Sequence, residues 1–456
     1  MTSYTITEPP TRTRWKILGL LLLISIVTYI DRVNISVTAR QMMPALGLTD
    51  MQMGWIFSAF VLGYAVFQIP GGWLGDRWGP RRVLTVAVLW WSIFTALTAL
   101  APTLSITNVI GVIGSLMLVR FLIGVGEAAA LPNFNRSVAN WHPPHERGLG
   151  IGITIGGIGV GSALTPPVTA WIMVNYGWQT AFYAAGTLGI GIALLWYWYA
   201  TDHPRQHRHV NEGEALFIEK STIQGHQKTH NSSSHPTSPQ KDAPVPTGKN
   251  PRVPWSAIIR TPTVWWLVLS YTCLGYVAYV YMSWFYLYLV NVRGFDVLRG
   301  AFFASAPFLA MAIFCPWGGW VTDKVTQTRG LNVGRASVGA IGMILASLSI
   351  VIGANSQTPF WAIGMLSLGA GWLYFTVGAF WAATTDLSKA HAGTLSGMMN
   401  TGANLGGTIS PTLTPWLAEQ FGWAAALGAA ALLALIGGML WFLIRPGDGL
   451  RQTSKI

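Results

Sequence analysis

The sequence predicts an all-α membrane protein, built as twelve transmembrane helices in two pseudo-symmetric six-helix bundles. Three observations predict it. Of 456 residues, 52% are hydrophobic and only 10% are charged, against about 25% charged in an ordinary soluble domain. A soluble protein of this length could not clothe its cores with so few charges. Apolar runs of about 20 residues, long enough to cross a bilayer as helices, recur twelve times. The basic residues then test that count. With the amino terminus placed in the cytoplasm, 23 of the 28 Lys and Arg fall in the inside breaks and tails. Only Arg40, Arg293 and Arg299 fall outside, which is the bias that cytoplasmic segments of membrane proteins carry. Both termini are therefore expected on the cytoplasmic side.

Taken in order, residues 1–200 form the first bundle, with spans near 15–38, 52–73, 82–101, 107–130, 147–174 and 180–200. The opening RTRWKILGLLLLIS has the basic-then-apolar order of a signal peptide. Its apolar run continues past residue 30 without an A-x-A-like site, so it is expected to be retained as the first span. Residues 201–260 are one long polar break holding six of the nine histidines. Their irregular spacing fits a solvated cytoplasmic linker better than a metal-binding tract. Residues 261–445 form the second bundle, with spans near 262–290, 298–321, 335–353, 359–383, 393–417 and 423–444, and 446–456 are a cytoplasmic tail. Cys273 and Cys315 both lie in apolar runs and do not make a disulfide framework. The net charge of +12 does not point to nucleic acid, because the basic residues sit in short breaks between spans and not along one stripe.

The two halves repeat each other. GITIGGIGVGSALTPPVTAWIMVNYGW (152–178) aligns without a gap to GMMNTGANLGGTISPTLTPWLAEQFGW (397–423), with identities that include Gly161/Gly406, Pro166/Pro411, Gly177/Gly422 and Trp178/Trp423. GGWLGD (71–76) matches GGWVTD (318–323) at nearly the same offset. Duplicated bundles that rock about a central site are a transporter architecture. Most of the glycines are expected to serve close helix packing.

Charges inside the spans are costly and usually line a cavity or a relay. Asp31, Arg32, Arg120 and Glu127 are such charges, all in the first half. One reading is a structural ion-pair lattice between the first and fourth spans. The other divides the work. The arginines grip an anion through their planar fork, and Asp31 and Glu127, as carboxylates in a desolvated site, take up and release protons. Asp31 and Arg32 are then expected to face a central cavity. Arg120 and Glu127, seven residues apart, share one helix face about 10 Å apart. Tyr29, Tyr64 and Gln68 fall on the same faces of the first and second spans. The second half offers only uncharged candidates, Tyr276, Tyr279, Tyr374, Trp381, Asn400 and Asn404, which suit the hydroxyls of a sugar-like ligand.

The stretch GGWLGDRWGPRRVL resembles the signature between the second and third helices of the major facilitator superfamily, with GGWVTDKV as its weaker copy. YIDRVNIS and RFLIGVGEAAALPNFNRSVANWHPPHERG are similar to the anion:cation symporter family within it. The superfamily resemblance covers essentially the whole chain and implies the major facilitator fold. The family resemblance implies proton-driven uptake of organic anions such as hexuronates, aldonates, aldarates or aromatic acids. It implies Tyr29, Arg32, Tyr64, Arg120, Trp381 and Asn400 near substrate, Asp31 and Glu127 on the proton path, and Asp76, Arg77 and Asp323 in gating. Asn133 in ALPNF departs from the small residue more usual there, which leaves the substrate class open. The short break RQMMPALGLTDMQ after the first span, where animal members carry a long loop, points to a bacterial cytoplasmic membrane.

The expected partners are a small organic anion, protons and the lipid bilayer, with no nucleic acid, no cofactor beyond the proton gradient, and a monomeric state. An anion exchanger or exporter on the same fold is the alternative. A membrane enzyme or sensor is disfavoured, because no plausible nucleophile–base set or metal-ligand cluster falls within the spans and no soluble signalling domain is read from the sequence.

Overall fold

A computed structural model describes residues 9–219, 255–388 and 391–450. The first half contains α1 (Thr13–Leu46), α2 (Asp50–Trp78), α3 (Pro80–Leu100), α4 (Thr107–Glu127), α5 (Ala130–Trp141), α6 (Pro144–Tyr176) and α7 (Trp178–Tyr199). The second contains α8 (Pro262–Ser283), α9 (Val297–Ala304), α10 (Ala306–Arg329), α11 (Leu331–Asn355), α12 (Pro359–Phe375), α13 (Val377–Leu387), α14 (Ala392–Phe421) and α15 (Trp423–Leu440). Three pairs, α4/α5, α9/α10 and α12/α13, are each a single span broken near its middle or end. Among the described residues, eleven spans are long and apolar enough to cross a membrane. The twelfth long helix, α14, is not among these eleven and carries Asn400, Asn404, Thr408, Ser410 and Thr412.

Local sequence sets the helix ends. Thr49 and Gln52 form a reciprocal capping box at the start of α2, and Asp296 accepts from the N–H groups of Leu298 and Arg299 at the start of α9. Such caps satisfy the donors that the first helical turn leaves free. Tight reversals fall at glycines with left-handed backbone, and these come in pairs related by the repeat. Gly79 (φ 82°) and Gly330 (φ 84°) join α2 to α3 and α10 to α11; Gly177 (φ 84°) and Gly422 (φ 82°) join α6 to α7 and α14 to α15. A side chain would be strained at each.

The repeat also governs packing. A Cβ on Gly161 would strike the Ile26 carbonyl of α1, and one on Gly406 would strike the Thr272 carbonyl of α8. Matched glycines thus let α6 lie against α1 and α14 against α8, the small-residue contact that helices use where lipid gives no hydrophobic drive.

The halves meet along α2 and α14 and where α6 packs on α9 and α10. Away from the linker they are latched. Ser58 and Thr412 share a hydrogen bond of 2.9 Å, the Ser305 hydroxyl donates to the Ala163 carbonyl (2.5 Å), and Phe57 meets Trp284 edge to face. Nearer the linker side, Gln68 Oε1 accepts from Asn400 (3.0 Å) and Asn404 (3.4 Å). Beyond that point, among the described residues, no hydrogen bond or ion pair joins the halves.

On the linker side, the described start of the polar break is docked onto the first bundle. Buried Glu214 accepts from the Thr11 hydroxyl (2.5 Å), the N–H groups of Thr13 (3.1 Å) and Arg14 (3.2 Å), and the Arg14 guanidinium (3.1 Å). It caps α1 from two hundred residues away. Of the linker histidines, His226, His230 and His235 lie outside the described residues.

Candidate functional site

The two deep arginines of the first half lie over the ring of Phe60. On α1, Arg32 donates from Nε (3.1 Å) and Nη2 (2.9 Å) to one carboxylate oxygen of Glu127 at the end of α4, and from Nη1 to the Tyr29 hydroxyl (3.2 Å). Its guanidinium lies 4.6 Å from the Tyr64 ring centroid, 4.7 Å from that of Tyr29 and 5.1 Å from that of Phe60. Cations favour such aromatic faces. Arg120, two helical turns before Glu127 on α4, lies 4.8 Å from the same Phe60 ring. It is 2% exposed, and its Nε and Nη1 have no hydrogen-bond partner. Arg32 and Arg120 line one cavity with Ser36, Phe57, Tyr279 and Ser283, so its walls come from α1, α2, α4 and α8. Two like charges so close are tolerated because Glu127 and Asp31 balance them.

Asp31 does not face this cavity. Consecutive helix residues point about 100° apart, and the turn of α1 that presents Arg32 sends Asp31 into the bundle. There it is fully buried, both carboxylate oxygens lack a partner, and the indole of Trp91 on α3, also unpartnered at its N–H, approaches it. Arg120 and Glu127 remain within electrostatic reach of it. The expectation that Asp31 and Arg32 share the cavity is therefore corrected. The ionic link between the first and fourth spans is Arg32–Glu127, and Arg120 stays out of it.

The uncharged candidates divide into groups. Gln68, Asn400 and Asn404 come together as the amide bridge between α2 and α14. Trp381 donates from its indole to the Tyr271 hydroxyl at 3.2 Å, and Tyr374 lies in reach of Tyr29, Tyr271 and Tyr279. Tyr276 instead turns into the second bundle, where its hydroxyl meets Thr414 at 3.4 Å.

The three loop charges sit at the linker side. Asp76 forms an ion pair with Arg136, and Arg77 lies 5.6 Å from the Trp73 ring. Asp323 pairs with Arg335 (2.8 Å), which also holds Asp386 (2.9 Å). Each half thus has an acid-and-arginine clasp, but the arginines come from different elements.

Sequence reasoning missed Phe60, Tyr271, Trp91 and Arg335. Phe60 lies one helical turn from Tyr64, but an aromatic residue at that spacing in an apolar run reads equally as packing. Arg335 was counted only as a topological charge. Among the described residues no group of three or more His, Cys, Asp or Glu could hold a metal ion.

Comparison with known proteins places this geometry. The family description Major Facilitator Superfamily matches residues 21–411. The chain is 33% identical over 446 residues to the probable sulfoacetate transporter SauU of Cupriavidus necator, covering 96% of each chain. It is 30% identical over 459 residues to the probable galactarate/D-glucarate transporter GudP of Escherichia coli, covering 98% of this chain and 96% of that one. Among solved structures it resembles a bacterial homologue of the human lysosomal transporter Spinster in an inward-facing, unoccupied conformation. The TM-score is 0.75 at 20% identity, over 95% of this chain and 97% of the other.

Proposed function

The chain belongs to the major facilitator superfamily and is a multi-pass membrane transporter, not an enzyme, and we propose that it carries a small organic anion, such as a hexuronate, an aldonate or another carboxylate, in symport with protons. The observation that carries this reading is the buried Arg120 guanidinium, which is unpartnered at Nε and Nη1 and lines a cavity at the junction of the halves. A cation in that position has given up water without gaining a partner, and an anion supplies one. The relatives are named for sulfoacetate and for galactarate or glucarate, all small organic anions.

Proton coupling follows from the balance of charge. Arg32 and Arg120 against Asp31 and Glu127 sum to zero, so an entering anion leaves one unit of charge in a low-dielectric site. A proton on Glu127 removes that excess and breaks the ion pair to Arg32. Arg32 then joins Arg120 in holding the carboxylate, with Tyr29 and Tyr64 beside it. Asp31, walled off from substrate behind α1, takes its proton separately. Gln68, Asn400 and Asn404, with Tyr279, Tyr374 and Trp381 across the cleft, read the hydroxyl pattern of the ligand, and Tyr276 supports that wall from within the second bundle. Asp76, Arg77 and Asp323 act at the linker side as clasps that loosen when the halves rock. The protein works as a monomer in the bacterial cytoplasmic membrane, with linker and termini in the cytoplasm.

The test is Glu127→Gln in liposomes loaded with a pH-sensitive dye, with voltage clamped and a panel of sugar acids, aromatic acids and dicarboxylates added outside. Wild type acidifies the lumen with one class of anion. The variant exchanges that anion across the membrane but does not accumulate it against a pH gradient. Unchanged pH-driven accumulation by Glu127→Gln would overturn the coupling role. Exchange without acidification in wild type would assign the protein to anion exchange.

A further inference from the structure

The linker side of the first bundle carries charges that the transport cycle does not use, and most of them are matched. Arg14 is paired with Glu146 (2.9 Å) and Glu214 (3.1 Å), and Arg205 with Glu212 (3.2 Å) and Glu219 (2.6 Å). Arg12 and Lys16 are both exposed and, among the described residues, neither has a carboxylate partner. Four residues apart at the start of α1, they stand on one face. That face lines a cleft whose other walls are Thr11, Thr13, Tyr199 and His209. The Tyr199 hydroxyl is buried there with no hydrogen-bond partner, although its ring is held against that of His209. The free N–H groups at the start of α1 are already taken by Glu214, so the cleft is not merely a helix end.

Its position relative to the bilayer is set by α7. Leu194 and Leu195 are exposed, then Tyr197 and Trp198, the last at 65%. That change from aliphatic to aromatic is what a helix shows as it passes from hydrocarbon to headgroups. Arg81 lies 4.7 Å from the Tyr197 ring and Arg208 lies 5.0 Å from the Trp198 ring. The cleft therefore opens at headgroup level, with two unmatched cations and a hydroxyl that lacks an acceptor.

We propose that this cleft is a second anion site, separate from the transport cavity, which takes a phosphate group, with Arg12 and Lys16 neutralising it and the Tyr199 hydroxyl donating to it. Its place beside the exposed end of α7 suits the phosphodiester of an anionic phospholipid. Occupied in this way, the site pins the start of α1 to the membrane surface while the bundles move.

The test titrates the full-length chain in detergent with short-chain phosphatidylglycerol, phosphatidylcholine or inorganic phosphate, and follows thermal unfolding and bound lipid by native mass spectrometry. Wild type binds phosphatidylglycerol in preference to phosphatidylcholine and unfolds at a higher temperature with it. Arg12→Gln/Lys16→Gln binds it about 30-fold more weakly, as expected for the loss of two basic residues at an anionic surface. Tyr199→Phe shows a smaller loss. Lys324→Gln, which removes an exposed cation of the other half, binds as wild type does. The same stabilisation by inorganic phosphate would keep the site and assign it to the free ion. Equal loss in Lys324→Gln and the double variant would reduce the effect to general surface charge and overturn the site, as would wild-type binding by the double variant.

Discussion

Replacing Arg120 with lysine keeps the charge in the cavity and removes the fork. The guanidinium is 2% exposed and held over Phe60 at 4.8 Å, with Nε and Nη1 unpartnered. A carboxylate that reaches Nη2 together with Nε or Nη1 meets it through two N–H groups at once. Lysine offers a single, more strongly hydrated point of contact on a flexible stem. One hydrogen bond to a charged group is then lost, worth about 1.5–3 kcal/mol, which raises the dissociation constant about 10- to 150-fold. The assay is calorimetric binding of the transported anion to purified protein in detergent, with thermal unfolding alongside to show that the variant is folded. Arg120→Gln, which also removes the charge, should bind more weakly still. If Arg120→Lys binds the anion at wild-type strength while folded, Arg120 does not touch substrate. Its open nitrogens would then be a structural cost without a function, and the proposed anion site would lose its basis.

Three further outcomes follow from other parts of the molecule. His142, at the linker-side break between α5 and α6, is fully buried with both ring nitrogens unpartnered, and burial holds its pKa down to about 4. The folded state keeps it neutral while the unfolded chain protonates it near 6.5. Stability therefore falls as pH drops from 6.5 toward 4, by up to about 3 kcal/mol at 1.36 kcal/mol per unit. Thermal unfolding of His142→Phe, whose ring can keep the edge-to-face contact with Trp15, should lose that part of the pH dependence. Glu214→Ala removes four accepted hydrogen bonds at the start of α1 and leaves Arg14 with Glu146 alone; it should lower stability by about 3 kcal/mol, the range for a broken buried pair, and an unchanged unfolding temperature would contradict the docking of the linker. Gly54→Val places a side chain against the Pro411 carbonyl where α2 meets α14 away from the linker; it should force that latch open and raise maleimide labelling of a Ser58→Cys reporter several-fold over the same reporter with Gly54 intact.

How much of this was legible in the chain depends on the kind of information. The spans and their grouping into halves were read from hydropathy and from the alignment of 152–178 with 397–423, and the paired glycine reversals at Gly177 and Gly422 carry that repeat into the backbone. The partners of the deep charges were not legible. Asp31 and Arg32 are neighbours in sequence, but only one of two adjacent helix positions can face the cavity. Which one does is fixed by the rotation of α1, set by contacts such as Gly161 against Ile26. Arg32 finds Glu127 across 95 residues of chain, and no spacing rule connects them. Phe60 was silent because an aromatic residue in an apolar run looks like packing. The amides were the reverse case. Gln68, Asn400 and Asn404 were chosen singly as ligand contacts, and the fold joins them to one another.

That joining bears on how the two halves communicate. All four deep charges belong to the first half, so in the proposed cycle the interplay of proton and anion is settled within α1 and α4. Rocking, however, requires the second half to sense the outcome. In the described residues the polar contacts that cross between the halves on the cavity-to-linker stretch are those of Gln68 with Asn400 and Asn404. Gln68 lies one helical turn beyond Tyr64 on α2, and the Tyr64 ring lies against Arg32. A proton on Glu127 that frees Arg32 therefore acts on the helix that carries the bridge. A ligand hydroxyl that competes for the same amides acts on the bridge from the other side. On the proposed reading, anion, proton and the contact that holds the halves together converge within about one helical turn of α2. In a carrier with its deep charges in one half only, that turn is where occupancy can be converted into motion.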